Sequence, residues 1–288
     1  MKLGYIGYGE AAYSMSCGLN DEHNPTLEQY VCSRTFSYAG KPEDANAKRC
    51  TSYEELFAVC DTVFVMTPNT AAVPTAEKAA PYLHEGIVYV DLTSASPKLM
   101  EQVAAIVEPT GALFVDGAML DNLPKFRNKV KIAIAGKGVD EFMKRAEGLG
   151  MNLDPVGDRP GAACAIKMLR SLYTKAHLGF ALEMLEGAAH YGVEDYVMAS
   201  LAETMDCKTF EEGMSSRTCG GILHAGRRAV ELEMAADMLT DAGLSSGVAR
   251  AAAAKLREIG DLDLKNKIGD YRPKTWKEAV HCIMDNRD

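Results

Sequence analysis

Lys2-Leu-Gly-Tyr-Ile-Gly7-Tyr8-Gly9-Glu10-Ala11-Ala12 opens the chain, and Tyr30-Val-Cys-Ser33-Arg34-Thr35 follows one helix length later. The first segment reads as an apolar strand, a glycine turn and a helix from about Glu10 to Leu19. Gly7 permits the tight turn, Gly9 lets the backbone approach a pyrophosphate, and Ala12 fills the third small position where helix packs on strand. Phosphates are expected at the start of that helix, where unpaired N–H groups and the helix dipole favour anions. A small-residue turn that binds nothing is the structural alternative.

The end of the second strand bears on which dinucleotide binds. A carboxylate there accepts from a ribose 2′-OH and favours NAD. This chain has Ser33, Arg34 and Thr35 instead. A guanidinium grips a 2′-phosphate through two donors, and hydroxyls add to it. The expected cofactor is therefore NADP rather than NAD, against the alternative of a solvated surface arginine.

The chain has 288 residues, room for two domains with separate cores. Its net charge of −9 leaves no basic stripe for nucleic acid, so individual Lys and Arg residues carry information about anionic ligands. Eight cysteines lack a CxxC pair or a Cys/His cluster, so reduced thiols and no metal site are expected. The first strand begins at Lys2 and no apolar run reaches a membrane span of ~18 residues. A cytoplasmic protein without a membrane partner is the expectation.

Strands are expected at Lys2–Ile6, Gln29–Cys32, Thr62–Met66, Ile87–Asp91, Leu113–Gly117, Lys131–Ala135 and Asn152–Pro155. Several are continuous apolar runs, as in parallel strands covered on both faces. Helical patterns lie between them, including Ser52–Val59 with Ser52 as cap and Pro97–Val107 with Pro97 in its first turn. That alternation predicts an α/β, Rossmann-type doubly wound parallel sheet over residues 1–160. Residues 161–288 carry no strand pattern and predict an all-α domain entered by one long helix, Ala162–Tyr191, with Gly192 as its stop. Further helices are expected at Asp195–Met205, Phe210–Ser215, Gly221–Ala242, Val248–Ile259 and Trp276–Met284.

Ligands of such sheets bind at the carboxyl ends of the strands. Thr67-Pro68-Asn69 follows one strand and is assigned to the cofactor. Thr93 and Ser94 follow the next and are placed at the nicotinamide end, with Ser96 better explained as a helix cap. Asp116-Gly-Ala118-Met-Leu-Asp121-Asn122 follows the third. On the long helix, Lys167, Arg170, Ser171 and Thr174 share one face at i, i+3, i+4 and i+7. A lysine in a cleft loses charge by desolvation and then exchanges a proton with a substrate hydroxyl. The alternative is a snorkelling lysine. A second polar stripe, His224, Arg227, Arg228 and Glu231, offers an anion site, although Arg227 and Glu231 also suit a simple i,i+4 ion pair.

These motifs together resemble the β-hydroxyacid dehydrogenase superfamily, which includes 6-phosphogluconate dehydrogenase and 3-hydroxyisobutyrate dehydrogenase. Gly7-x-Gly9-x-x-Ala12 resembles its cofactor fingerprint, and Asp91-x-Thr93-Ser94-x-Ser96-Pro97 its D-x-S-T-x-x-P segment. Phe114-Val-Asp116-Gly-Ala118 looks like the start of its substrate loop, and Gly161 through Lys167 resembles the segment holding the catalytic lysine. The stretch from His224 to Ala242 is similar to a branch with a C-terminal domain of unknown function.

Two departures matter. Leu120-Asp121-Asn122 replaces the family's S-G-G, and Ser171 stands where it has Asn. The resemblance implies hydride transfer between NADP and a small anionic hydroxy acid, in a cleft between the domains. Lys167 acts as acid and base, Thr93, Ser94, Asn122, Arg170 and Ser171 line the substrate, and His224, Arg227 and Arg228 hold its anionic end. It also implies a homodimer or homotetramer. The retained Lys167 favours carbonyl chemistry over the imine reductases, relatives that usually lack that lysine. A ketone or imine reductase, a decarboxylating variant and a non-catalytic NADP sensor stay open.

Overall fold

The structure is a computed structural model that describes residues 1–36 and 40–287. The chain separates into two compact units, Met1–Leu172 and Tyr173–Asp288.

The first unit is built on one sheet of β1 (Lys2–Tyr8), β2 (Glu28–Phe36), β3 (Ala47–Arg49), β4 (Thr62–Val65), β5 (Val88–Asp91), β6 (Leu113–Met119), β7 (Lys131–Ala135) and β8 (Asn152–Pro155). Their order is β3-β2-β1-β4-β5-β6-β7-β8. Every neighbouring pair is parallel except β6 with β7, which is antiparallel. The doubly wound parallel sheet expected from sequence is present, with this one pair as its antiparallel exception. A parallel crossover needs roughly a dozen residues or more. The link from β6 to β7 holds only a one-turn helix over Leu123–Phe126 and a 3-10 turn. The short edge strand β3 was also not anticipated, because three residues carry no period.

Helices α1 (Glu10–Asp21), α2 (Tyr53–Val59), α3 (Ala72–Ala79), α4 (Pro97–Val107), α5 (Leu123–Phe126) and α6 (Val139–Arg145) cover the sheet. Ser52 and Ser96 cap α2 and α4 through their hydroxyls, accepting from Glu55 N and Leu99 N. Alternate strand residues enter opposite cores. Leu3, Tyr5, Phe64 and Val90 pack with Met15 and Leu19 of α1 and Phe142 of α6. Val63, Val65 and Tyr89 pack with Leu56 of α2, Ala76 of α3 and Met100 of α4. Each large side chain so buried contributes about 1.5–3 kcal/mol. The strand order reverses beside β1, whose neighbours are β2 and β4. A crevice at the carboxyl ends of β1 and β4 follows.

Helix α7 (Ala162–Tyr191) begins in the first unit and ends in the second at Gly192, whose φ is +67°. The second unit adds α8 (Glu194–Met205), α9 (Phe210–Leu223), α10 (Ala225–Asp241), α11 (Gly247–Asp261), α12 (Leu264–Lys267) and α13 (Trp276–Met284). Helices α10 and α11 cross so closely that a Cβ on Gly260 would lie 2.8 Å from Gly226 Cα. Glu183 of α7 receives Val248 N at 2.9 Å and Ala249 N at 3.0 Å, so its carboxylate caps α11. Burial works to raise that carboxyl, but the N–H bonds outweigh it and hold it below the usual range.

The expected helix break near Ser215–Gly221 is corrected to His224. Helix α9 runs through Gly220-Gly221 because Ile222 is buried against Ala279 and Cys282 of α13, and packing overrides the low helix propensity of glycine.

Candidate active site

Gly7 ends the straight part of β1 with φ +85°. A Cβ there would stand 2.9 Å from Met66 O and 3.0 Å from Thr67 Cγ2, so only glycine lets the ends of β1 and β4 meet. Gly9 differs. Its φ is −82°, and a Cβ would meet nothing within 4 Å. The fold does not demand glycine at this place; its smallness keeps open the space before α1. Gly9 provides no side-chain cap either, and the first-turn N–H groups of a helix have no intrahelical partner. Tyr8 is buried, Glu10 is exposed, Ala11 is half-buried, and Ala12 is fully buried against the sheet.

Ser33, Arg34 and Thr35 form a bulge opposite Gly7, since Ile6 pairs with Cys32 and Tyr8 with Phe36. The Ser33 hydroxyl holds that bulge, accepting from Tyr8 N at 3.2 Å and donating to Thr35 O at 2.5 Å. Arg34 and Thr35 stay exposed beside the glycine turn. Thr67 is half-buried, and its Oγ1 is closed to solvent without a hydrogen-bond partner among the described residues. Such a group asks for a partner from outside the chain. Pro68 and Asn69 are exposed at the start of the next turn. Open space at Gly9 before a helix start, an orphan hydroxyl and an exposed guanidinium fit a dinucleotide.

The second cluster lies at the ends of β5 and β6. Gly161 has φ +91°, and a Cβ there would fall 2.8 Å from Pro97 O, which presses the start of α7 onto the start of α4. Asp116 of β6 fastens it. Its Oδ2 accepts Ala163 N at 3.0 Å and Cys164 N at 3.2 Å, and its Oδ1 accepts the Cys164 thiol at 2.9 Å. Burial raises the Asp116 carboxyl, and these bonds offset part of the rise. Burial, then the Asp116 charge, drives the Cys164 thiol far up, which makes it a structural group.

One turn along α7, Lys167 Nζ donates to Ser94 Oγ at 2.8 Å. The lysine is half-buried, and burial lowers its affinity for a proton. Ser94 takes φ +56°, an uncommon conformation for a residue with a Cβ. Thr93 is tied back to Asp91 Oδ1 through its N–H at 2.9 Å and its hydroxyl at 2.6 Å. Arg170 Nη1 donates to Leu120 O at 3.3 Å, and Ser171 is half-buried next to it on α7. Lys167, Thr93, Ser94 and Arg170 are thus gathered around the ends of β5 and β6. Asn122 is instead occupied as the cap of α5, its Oδ1 accepting from Lys125 N at 3.0 Å. Sequence reasoning missed the clamp that Asp116 places on α7. Its only signal in the sequence was an aspartate directly after the apolar run Leu113-Phe-Val115.

His224, Arg227 and Arg228 belong to the second unit. His224 lies outside any helix, at the junction of α9 and α10 with φ −124° and ψ 21°, so its expected place on a helical face with Arg227 is corrected. Arg227 pairs with Glu231 at 2.7 Å, both exposed, a bond worth only a few tenths of a kcal/mol. Among the described residues no cluster of His, Cys, Asp and Glu is arranged to hold a metal ion, and no helix is long and apolar enough to cross a membrane.

Residues 2–119 match the NAD-binding domain of 6-phosphogluconate dehydrogenase. That stretch of the first unit is therefore similar to the NAD-binding domain of 6-phosphogluconate dehydrogenase. Residues 188–259 match the domain of unknown function DUF1932. An uncharacterised 28.5 kDa protein of Methanothermus fervidus is 29% identical over 234 residues, covering 81% of this chain and 88% of that protein. A conserved protein of unknown function, described as structurally similar to 3-hydroxyacid dehydrogenases, is 26% identical with a TM-score of 0.64, over 90% of this chain and 98% of its own. The imine reductase of Myxococcus stipitatus in complex with NADP+ is 17% identical with a TM-score of 0.70, over 99% of this chain and all (100%) of its own, a likeness of fold.

Proposed function

We propose that this chain is a dehydrogenase of the 6-phosphogluconate-dehydrogenase-like family that transfers hydride between NADP and a small hydroxy acid or its keto or semialdehyde counterpart, with Lys167 as the general acid and base. The observation that carries the reading is Lys167 itself: half-buried, less basic than a free lysine, and aimed by Ser94 at the carboxyl ends of β5 and β6. The nicotinamide would supply the hydride acceptor or donor. The neutral Lys167 amine takes the hydroxyl proton during oxidation, and its ammonium returns one to the carbonyl oxygen during reduction. Thr93 and Ser171 orient the substrate, and Arg170 offers a positive charge for a carboxylate. Arg34 receives the 2′-phosphate on its exposed bulge.

Imine reduction is the second reading, favoured by the fold likeness to imine reductases. One panel separates the two. Purified protein is incubated with hydroxy acids and sugar acids plus NADP or NAD, and with cyclic imines and ketones plus NADPH, and reduced-cofactor absorbance is followed. Turnover of acids with NADP supports the reading, and turnover confined to imines overturns it. No turnover with detectable NADP binding points to a sensor.

Assembly into a homodimer or homotetramer is part of the proposal. Helix α8 buries none of its described residues within the chain, and Leu178, Leu182 and Leu185 of α7 are exposed with Tyr196 and Met198 of α8. A helix of this length draws its stability from packing, and apolar surface on this scale marks interfaces. Light scattering after size exclusion tests it, and a monomer at micromolar concentration refutes it.

A further inference from the structure

We propose that Asp91 is a positioning residue for Lys167, acting through Thr93 and Ser94. The proposal rests on the reading of Lys167 as the group that exchanges the substrate proton.

Asp91 closes β5 and is wholly removed from solvent. Its Oδ1 accepts both the backbone N–H and the hydroxyl of Thr93, so the chain is turned back immediately after the strand. The next residue, Ser94, is left in the left-handed region. A non-glycine residue there costs on the order of 1 kcal/mol or more and persists only when its surroundings impose it. The surroundings are the Asp91–Thr93 turn before it, and the buried Ala95 and the Ser96 cap of α4 after it. The consequence is the position of one oxygen: Ser94 Oγ stands 2.8 Å from Lys167 Nζ. A buried carboxylate is thereby linked to a half-buried ammonium through consecutive hydrogen bonds and one strained residue.

Asp91 holds this turn with one oxygen only. Its Oδ2 is buried and has no hydrogen-bond partner among the described residues. Burial, with Asp116 across the strand pair, pushes its carboxyl up to about 6. The ionisable groups that sense it are Asp116 of β6, Tyr89 of β5 and Cys164 of α7, with Lys167 acting on Cys164 from the same helix. A proton on the free Oδ2 leaves Oδ1 a weaker acceptor. The hold on Thr93 therefore loosens as pH falls through about 6.

The test needs neither substrate nor cofactor. Acetic anhydride is the amine probe, and peptide mass spectrometry gives the labelling of Lys167 relative to exposed Lys175 across pH. Loss of the Ser94 hydroxyl removes an acceptor that favours the ammonium, so Ser94→Ala is expected to raise the Lys167 to Lys175 ratio about threefold or more at pH 7.5. Asp91→Ala and Thr93→Val are expected to raise it in the same direction, and Thr93→Ser, which keeps the hydroxyl, to restore the wild-type ratio. Asp91→Asn offers an uncharged acceptor at every pH, so it should show the ratio that wild type approaches below pH 6 and lack the change wild type shows near that pH. If Asp91→Ala does not fold, the two Thr93 variants carry the test. The proposal is overturned if Ser94→Ala moves the ratio while Asp91→Ala and Thr93→Val change only the melting temperature. It is also overturned if none of them moves it. Failure of the proposed reaction would appear in the turnover panel and leave the labelling ratios as they are.

Discussion

Asp91 and Asp116 are register partners on β5 and β6, both fully buried, yet both oxygens of Asp116 accept hydrogen bonds while Asp91 uses one. Two carboxylates side by side in a low-dielectric place cannot both ionise cheaply. The better-bonded one keeps its charge more readily, and the other is pushed up to about 6.

Asp91→Asn follows as a stability prediction with a definite sign. An unfolded aspartate releases its proton near 3.9, whereas folded Asp91 holds it to about 6. The folded chain therefore binds more protons between those values, and stability is lost as pH rises through them. Asparagine keeps the Oδ1 acceptor and has nothing to ionise. Urea unfolding is expected to find Asp91→Asn more stable than wild type by on the order of 2–3 kcal/mol at pH 7.5, with the gap closing near pH 4. A gap of constant size across that range would mean that Asp91 does not titrate as described.

Gly9 and Gly7 make opposite predictions from similar places. Gly9 has extended-side backbone angles and open space before it. Gly9→Val is expected to leave the melting temperature within about 2 °C of wild type and to weaken NADPH binding 100-fold or more, because the branched side chain fills the phosphate space. Gly7→Ala puts a Cβ against Met66 O in a left-handed turn, so it should lower stability by ~1–3 kcal/mol as well. Thermal melts beside calorimetric NADPH titrations read both. Retained binding in Gly9→Val would remove the pyrophosphate from this turn.

Much of this was legible in the chain because backbone demands leave residue signatures. Pro97–Val107, Ala162–Tyr191 and Trp276–Met284 fall where their caps, stops and apolar periods put them. The glycine turn and the lysine on the long helix were legible for the same reason: each needs a residue type at a fixed spacing. What was hidden depends on partners distant in sequence. No local pattern shows that Ser33 holds a bulge against Tyr8 N, or that Asp116 reaches the first turn of α7. His224 was misplaced because Gly220-Gly221 looks like a helix break until the burial of Ile222 is known.

Arg34→Ala tests the cofactor preference. Arg34 sits exposed on the bulge opposite Gly7. A hydrogen bond to a charged group contributes ~1.5–3 kcal/mol, so the NADP dissociation constant should rise ~10–100-fold. The NAD constant should change by less than about twofold, since NAD has no phosphate there. Fluorescence titration of both cofactors measures the pair. Equal loss for the two would place the arginine on the shared pyrophosphate or on the fold.

Lys167 can be questioned through two substitutions that separate charge from proton transfer. Lys167→Ala removes both and should lower turnover by ~10²–10⁴ with NADPH affinity nearly unchanged. Lys167→Arg keeps a cation within reach of Ser94 but cannot release a proton near neutral pH. If the amine exchanges a proton, the arginine variant loses as much turnover as the alanine variant. If it serves only as a fixed charge, the arginine variant retains most of its rate. The pH profile gives the direction independently. Burial lowers the proton affinity of Lys167, so oxidation, which needs the neutral amine, should rise with pH and reach its plateau below the ordinary lysine range. Reduction, which needs the ammonium, should fall through the same pH. A profile in which both directions rise together would assign the proton to another group, even if each variant were slow.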